Sequence, residues 1–247
     1  MNKTLTRRER QLIARENLIL TTARRLIMAH GFLDLKMSAL AAAVEYSVGT
    51  LYTHFGTKED LLVALAVESI GQRALLFERV RQAQRPSRDR IYGILVARLM
   101  LAESDPDTFD IERLASSPSI WKRATQSRYR AMVAMEERCS ASVLSIIREA
   151  VGAGELTLKQ HSETDMIFGL WSVTVGFHRL VQSFDDPSQV GVLNPFEGVK
   201  NNYRLLLDGY GWQPQQGWDH LAVELDFRQN ILLPQFDQPV SATAIQS

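Results

Sequence analysis

The sequence predicts an all-α protein in which an N-terminal domain of three helices is joined by a long helix to a larger helical domain. Three observations predict this fold class. Apolar residues recur at helical spacing along most of the 247 residues, the first proline is Pro86, and no convincing run of alternating β-branched residues suggests a strand. We expect the small domain over residues 1–60 and the larger one over residues 61–233. A flexible tail is expected over residues 234–247, at a glutamine- and proline-rich end of the chain.

The first helix is predicted over residues 12–30 from a single apolar stripe. The residues of that stripe are Leu12, Ile19, Ala23, Leu26 and Ile27. Gly31 is expected to end the helix in the left-handed conformation that glycine adopts without strain, and Phe32 is expected to pack back under the helix end.

Two short helices are predicted next, over residues 39–44 and 48–55. Ser38 is the expected N-cap of the first, and residues 45–47 form the turn between the two. Gly56 is expected to end the second short helix.

A long fourth helix is predicted to begin at Thr57 and to reach about Gln84. Thr57 and Asp60 are spaced as a capping box, in which both side chains bind free backbone amides of the first turn. Beyond Pro86 the sequence still predicts helices, separated by proline or glycine. They are expected near residues 88–104, 107–116, 119–152, 162–184, 196–210 and 218–230.

Charge is unevenly distributed although the net charge is zero. Residues 1–58 hold nine Lys and Arg against four Asp and Glu, so they carry +5 and the rest of the chain carries −5. A basic segment on a mildly acidic body is expected of a nucleic-acid-binding module, although a solvated basic helix face would look the same.

Several classes of function are not expected. The sequence has no GxSxG elbow, no phosphate-binding glycine loop, no HExxH motif and no Cys/His cluster with metal-ligand spacing, so we expect neither catalysis nor a bound metal or cofactor. The apolar runs are too short to span a membrane, and no secretory signal is recognisable. Together with the single Cys139, this predicts a cytoplasmic protein without membrane contact.

Two short helices joined by a three-residue turn, with a helix before and a long helix after, are typical of a helix-turn-helix. Leu51 and Phe55 are four residues apart, so they are expected to face inward together. Lys58, at the start of the next helix, is expected to bind a phosphate together with free backbone amides. The remaining positions of the second short helix would face DNA, and they are Val48, Gly49, Thr50, Tyr52, Thr53 and His54.

The segments Leu40-Ala41, Gly49-Thr50-Leu51-Tyr52, His54-Phe55 and Lys58-Glu59-Asp60-Leu61-Leu62 resemble the DNA-binding domain of the TetR family of bacterial regulators, over roughly residues 12–70. The resemblance implies an all-helical homodimer on palindromic double-stranded operator DNA in the bacterial cytoplasm, associated with the nucleoid. It also implies a repressor that leaves its operator when a small-molecule effector enters the C-terminal domain. By the same resemblance, base or phosphate contacts are expected from Thr50, Tyr52, Thr53 and His54, and phosphate contacts from Lys58 and Ser38.

Two positions depart from the family pattern. Glu45 stands in the turn where glycine is common, so we expect a strained turn at a cost of about 1 kcal/mol. Val48 stands where many relatives have a polar or basic residue, which favours contact with a thymine methyl group over recognition of guanine. The operator sequence of relatives is therefore not expected to transfer.

The larger domain is expected to hold the effector and the dimer contact. The stretch GLWSVTVGFHRL resembles the penultimate helix of TetR family C-terminal domains. Trp171 and His178 are seven residues apart and should share one side, although plain core or dimer packing is the favoured explanation for both. The helices near 162–184 and 196–210 are the expected dimer seam. The candidates for the effector pocket are Trp121, Tyr129, Met132, Trp171, Thr174 and His178.

Alternatives stay open at single positions and for the whole chain. Tyr52 and His54 could pack or cap instead of contacting DNA, and Lys58 could be a surface charge at a helix start. Arg7, Arg8 and Arg10 could belong to a frayed, solvated arm. They could also belong to an arm that contacts the minor groove or the backbone of DNA. The alternative functions are an activator, a ligand-independent regulator and a helical adaptor that binds only protein.

Overall fold

A computed structural model describes residues 6–158, 161–184 and 186–233. Within these ranges the chain is helical and contains no strand, which confirms the predicted all-α class. The tail predicted over residues 234–247 lies outside the described residues.

Helices account for most of the described chain. Their bounds are α1 (Arg7–His30), α2 (Met37–Ala43), α3 (Val48–His54), α4 (Lys58–Gln82), α5 (Ser87–Ser104), α6 (Asp107–Ala115), α7 (Pro118–Trp121), α8 (Gln126–Gly152), α9 (Glu163–Gln182), α10 (Pro195–Gly209) and α11 (His220–Asp226). A short 3₁₀ helix covers Pro187–Val190, and a π-helical turn, Phe227–Leu232, follows α11.

Helix α1 begins five residues earlier than predicted because a capping box starts it. The hydroxyl of Thr6 accepts from the amide of Glu9 at 3.2 Å, and the Glu9 carboxylate accepts from the amide of Thr6 at 2.7 Å. The buried stripe of α1 begins only at Ile19, while Leu12 is exposed. Residues before Ile19 therefore extend the helix beyond its core-facing part.

The caps of the first two helices differ from those predicted. Gly31 has φ 80° and ψ 156°, so it ends α1 at a positive φ but outside the left-handed helical region. Its amide donates to the carbonyl of Ile27 at 2.7 Å, and Phe32 is buried as expected. The prediction that Ser38 is an N-cap is wrong, because α2 begins at Met37 and leaves Ser38 exposed inside its first turn.

The single helix predicted over residues 119–152 is also wrong. It is divided into α7 and α8, with residues 122–125 between them. The amide of Thr125 donates to the carboxylate of Asp60 at 2.6 Å. This contact uses an amide that a continuous helix would bind within itself.

The described residues group into two compact units. The first holds the residues up to Gly71 together with Asp107–Met135, and the second holds Gln72–Pro106 together with Glu136 to residue 233. The proposed division at residue 60 between a DNA-binding and an effector domain stays a prediction. The core of the first unit includes Ile19, Ala23, Ile27, Leu40, Leu51, Phe55, Leu61 and Leu62.

In the second unit, the C-terminal segment packs closely on α5. The helix predicted over residues 218–230 is present as α11 and the π-helical turn. Gly93 of α5 faces the ring of Phe227, and a Cβ atom at this position would lie 2.6 Å from the ring. Only glycine allows this approach without displacing the buried Phe227.

Candidate nucleic-acid interface

Helix α3 is started by Ser47, the last residue of the turn. Its hydroxyl accepts from the amide of Thr50 at 3.0 Å and lies 2.8 Å from the Thr50 hydroxyl. The hydroxyl of Thr53 donates to the carbonyl of Thr50 at 2.6 Å. The hydroxyls of Thr50 and Thr53 therefore each have one partner at the start of α3, and each keeps further capacity to accept a hydrogen bond.

The inward face of α3 is the one predicted. Leu51 and Phe55 are completely buried. The guanidinium of Arg128, at the start of α8, lies over the Phe55 ring at 5.0 Å from its centroid. Two buried residues one turn apart therefore fix the rotation of α3 about its axis.

The opposite face of α3 is open to solvent. Tyr52 is 49% exposed, and Val48, Gly49 and Thr53 are exposed as well. A short helix anchored through one side and open on the other has the geometry in which the second helix of a helix-turn-helix enters the major groove. The DNA contacts of Val48, Gly49, Tyr52 and Thr53 stay predictions.

His54 does not belong to the open face, which corrects the sequence prediction. Its side chain is 5% exposed, and its Nδ1 atom lies 3.5 Å from Oε1 of Glu16 on α1. Arg128 lies 3.5 Å from the same carboxylate and donates to the carbonyl of His54 at 3.4 Å. His54 therefore links the end of α3 to α1 and α8 within the first unit.

The pairing of His54, Glu16 and Arg128 had no signal in the sequence, since the three residues are far apart along the chain. Glu68 of α4 belongs to the same surroundings. Burial raises the pKa of Glu68, and the charges of Arg24 and Arg128 partly offset that effect.

The turn between α2 and α3 is strained as predicted. Glu45 has φ 57°, the only positive φ of a non-glycine residue among those described. The amide of Tyr46 donates to the carbonyl of Ala41 at 3.0 Å, which closes the end of α2. A left-handed residue is therefore built into this turn even though the position holds a glutamate.

Lys58 contacts the loop that follows α1. Its Nζ donates to the carbonyl of Leu33 at 2.9 Å and lies 4.5 Å from the ring centroid of Phe32. The ammonium thus has neighbours within its own domain, while the side chain stays partly exposed. Phosphate contacts by Lys58 and by the exposed Ser38 stay predictions.

The capping box predicted at the start of α4 is present only in part. The hydroxyl of Thr57 accepts from the amide of Asp60 at 2.9 Å, as expected. The buried carboxylate of Asp60 instead accepts from the amide of Thr125. Asp60 therefore holds the segment before α8 against the start of α4, a role that local spacing could not indicate.

The six predicted effector residues are dispersed. Trp121 and Tyr129 stack at 4.9 Å in the first unit, where Met132 is buried. In the second unit Thr174 and His178 are buried, and Trp171 is 56% exposed. Trp171 thus differs in exposure from Thr174 and His178, and the expected pairing of Trp171 with His178 stays a prediction.

The surroundings of His178 keep its imidazole uncharged. Burial, together with the charges of Arg98 and Arg73, lowers the pKa of His178 to about 2. The hydroxyl of Thr174 donates to the carbonyl of Trp171 at 2.8 Å, within α9. Neither side chain faces the cavity that the second unit contains.

That cavity has a volume of about 810 Å³ and lies along α9, the 3₁₀ helix and α10. Its lining is mainly apolar and includes Val173, Phe177, Leu180, Pro195, Leu206 and Tyr210. None of the six predicted effector residues lines it. The cavity runs along the two helices predicted as the dimer seam.

Neither a metal-ion site nor a membrane-spanning helix is found among the described residues. No group of three or more His, Cys, Asp or Glu is arranged to hold a metal ion in that part of the chain. None of the helices found there combines the length and hydropathy that a membrane span requires.

The fold and the α3 surface define the class of helix-turn-helix DNA-binding proteins. Residues 19–65 match the family model described as bacterial regulatory proteins, tetR family. A comparison with curated proteins finds no match. The N-terminal segment therefore matches the DNA-binding domain of this family, and the fold is shared with solved TetR family regulators.

Solved structures share the fold over most of their length. A tetR family regulatory protein from Rhodococcus RHA1 is 16% identical with a TM-score of 0.62, and the match covers 81% of this chain and 98% of that one. A TetR/AcrR family regulator from Thermobifida fusca YX-ER1 is 24% identical with a TM-score of 0.57, covering 80% and 98%. AibR, solved with isovaleryl coenzyme A and operator DNA, is 20% identical with a TM-score of 0.53, covering 80% and 99%.

Proposed function

We propose that the protein is a repressor that binds its operator through α3 and leaves it when a small-molecule effector binds. One observation carries the DNA-binding part of this proposal. The face of α3 that bears Val48, Gly49, Tyr52 and Thr53 is open, while Leu51 and Phe55 hold the helix rigidly from behind. Such an arrangement suits a helix that enters the major groove.

Different residues of this face would make different contacts. Val48 and the methyl groups of Thr50 and Thr53 would contact thymine methyls, and the threonine hydroxyls could still accept hydrogen bonds. The phenol of Tyr52 would reach a base edge or a phosphate. Gly49 keeps the start of α3 narrow, and Ser38 and Lys58 would contact the backbone on either side.

A second copy of the chain is the proposed partner along α9 and α10. Leu180 is 62% exposed and Leu205 is 67% exposed, although both are large and apolar. Gly176 and Gly198 border the same cavity and face open space, so a partner helix could approach closely. A two-fold dimer would present two α3 helices to a palindromic operator.

The effector is proposed to be a small organic molecule bound in the helical body. The structure of AibR with isovaleryl coenzyme A and operator DNA supports a regulator of this fold that responds to a ligand. The contacts of Trp121, Tyr129, Met132, Thr174 and His178 with an effector stay predictions, and these residues are not assigned to one site. Trp171 is exposed on α9 and suits the dimer seam better. Native mass spectrometry of the purified protein, with and without organic extraction, would identify a bound effector.

Fluorescence anisotropy of labelled duplexes tests the DNA-binding proposal. One duplex carries the DNA upstream of the protein's own gene, and the other is a shuffled sequence of the same composition. We expect tighter binding to the first duplex and affinity for both that falls steeply with salt. Equal affinity for the two duplexes would contradict sequence-specific binding, and no binding to either would favour a protein-only adaptor.

Two single variants divide base contacts from phosphate contacts. Tyr52→Ala is expected to cost about 1–3 kcal/mol on the upstream duplex if the phenol contacts a base. Lys58→Ala is expected to weaken both duplexes equally and to reduce the salt slope by about one unit. If Tyr52→Ala also lost the same affinity on both duplexes, Tyr52 would no longer be assigned as a base contact.

Transcription in vitro from the upstream promoter, with and without protein, separates a repressor from an activator.

A further inference from the structure

The first three turns of α1 lie outside the buried core of the domain. The buried residues of α1 begin at Ile19, and the family match also begins at residue 19. We call the preceding helical segment, Arg7–Leu18, the basic arm. It is an ordered extension of α1 that the hydrophobic core does not require.

The basic arm carries arginines whose side chains have no hydrogen bond or ion pair within the described part of the chain. These are Arg7, Arg8, Arg10 and Arg15, and all four are exposed. Some arginines elsewhere are paired, since Arg73 lies 2.7 Å from Glu136 and Arg228 lies 2.7 Å from Glu103. The arm thus presents cations that the protein itself does not neutralise.

Helical geometry places most of these charges on one side. At about 100° per residue, Arg7, Arg8 and Arg15 fall within an arc of about 100°, and Arg10 lies about 60° outside it. The two carboxylates of the arm, Glu9 and Glu16, fall on the other side. Glu9 caps the helix start, and Glu16 contacts His54 and Arg128. Arg7, Arg8 and Arg15 therefore form one basic side, which differs from the side on which Glu16 contacts the end of α3.

We propose that Arg7, Arg8 and Arg15 form a second DNA-contacting surface that binds backbone phosphates beyond those contacted through α3. This inference rests on the proposed function and adds a site to it. Arg7 lies about 14 Å along the helix from Glu16, so the arm extends the reach of the domain beyond the end of α3. Guanidinium groups on a rigid helix suit phosphate oxygens, which carry no sequence information.

The helix itself does not benefit from these charges. Cations in the first turn oppose the helix dipole, and Arg7 and Arg8 occupy that turn.

A membrane surface is a less suitable partner for the basic arm than DNA is. The exposed Leu12 and Leu18 lie about 120° apart around the axis, so the arm lacks the single apolar face of a membrane-binding helix.

The test compares two triple variants of the full chain. The arm variant is Arg7→Gln/Arg8→Gln/Arg15→Gln, and the control is Arg113→Gln/Arg130→Gln/Arg148→Gln. Both remove three charges from exposed helical positions, and glutamine has nearly the helix propensity of arginine. The probes are the upstream duplex and the shuffled duplex, each titrated by anisotropy between 50 and about 300 mM potassium chloride.

For the arm variant we expect the slope of log affinity against log salt to fall by about 2 to 3 per bound subunit. Affinity at low salt should drop at least tenfold on both duplexes, and the ratio between the duplexes should stay unchanged, because phosphates are contacted. The control should keep the wild-type slope. Circular dichroism should show equal helix content in all three proteins.

If the arm variant bound both duplexes with the affinity and the salt slope of the wild-type protein, the DNA contact of the basic arm would be overturned. The proposal for α3 would remain intact. A changed ratio between the duplexes would also overturn it, since bases would then be contacted. A wild-type protein that binds neither duplex would overturn both proposals. Arm-dependent binding to phosphatidylglycerol vesicles, with an unchanged DNA slope, would assign the arginines to a membrane surface instead.

Discussion

At the scale of single residues, contacts within the protein at the two ends of α3 decide which side chains remain available to contact DNA. At its start, Ser47 engages the hydroxyl of Thr50. At its end, Glu16 and Arg128 surround His54. The surface left for DNA is therefore narrower and less polar than the residue types alone suggest, and Tyr52 is its largest member.

The strain at Glu45 leads to a prediction about stability. Glu45→Gly should raise the free energy of unfolding by about 0.5–1 kcal/mol, because glycine adopts the observed φ of 57° without steric cost. Urea denaturation followed by circular dichroism measures the change. Glu45→Ala is the control, since it removes the same charge but keeps the Cβ atom. Equal stability of the two variants would show that strain does not limit this turn.

His178 leads to a prediction about pH. Its pKa in the folded protein is lowered to about 2, mainly by burial, whereas the unfolded chain takes up a proton near pH 6.5. The unfolded state therefore binds more protons as the pH falls below 6.5, and stability is lost in that range. Between pH 7 and pH 5 this contribution amounts to about 2 kcal/mol.

Urea denaturation at both pH values measures this effect. Wild-type and His178→Gln are compared, and the variant should lose less stability on acidification. The same loss in both proteins would mean that other groups cause the pH dependence.

At the scale of helices, sequence patterns predicted the bounds of a helix correctly where neighbouring residues alone determine them. The pair Leu51 and Phe55 and the flanking turn residues specify α3 within one residue of its end. The start of α1 was missed although Thr6 and Glu9 have capping-box spacing, because no apolar stripe follows them directly. The break before α8 could not be predicted, since it depends on Asp60, 65 residues from Thr125.

The contact between α5 and the π-helical turn yields a prediction at this scale. Gly93→Ala should destabilise the protein by about 1–3 kcal/mol, because the new methyl group would lie 2.6 Å from the buried Phe227 ring. Thermal denaturation measures the loss. Gly152→Ala, at the end of α8 with nothing within 4 Å, is the matched control and should be neutral or slightly stabilising. Comparable melting temperatures for both variants would contradict the close packing.

At the scale of the whole molecule, the apolar surface of α9 and α10 predicts the state of association. Leu205→Glu should convert a dimer to a monomer at micromolar concentration, because the carboxylate would be buried against the partner. Analytical ultracentrifugation measures this change. Leu225→Glu on α11 is the control, since Leu225 is also exposed but lies outside the cavity. A monomeric wild-type protein would contradict the seam.

The sequence by itself determined the helical class, the positions of the short helices, the inward pair of α3 and the likeness to the TetR family. These features depend on residues within one or two helical turns of each other, so their spacing along the chain encodes them. Only the tertiary structure decided that His54 turns inward, that Asp60 holds the segment before α8, and that Trp171 is exposed while His178 is buried. Each of these outcomes depends on burial or on a partner from a distant part of the chain, and local spacing carries no record of such contacts.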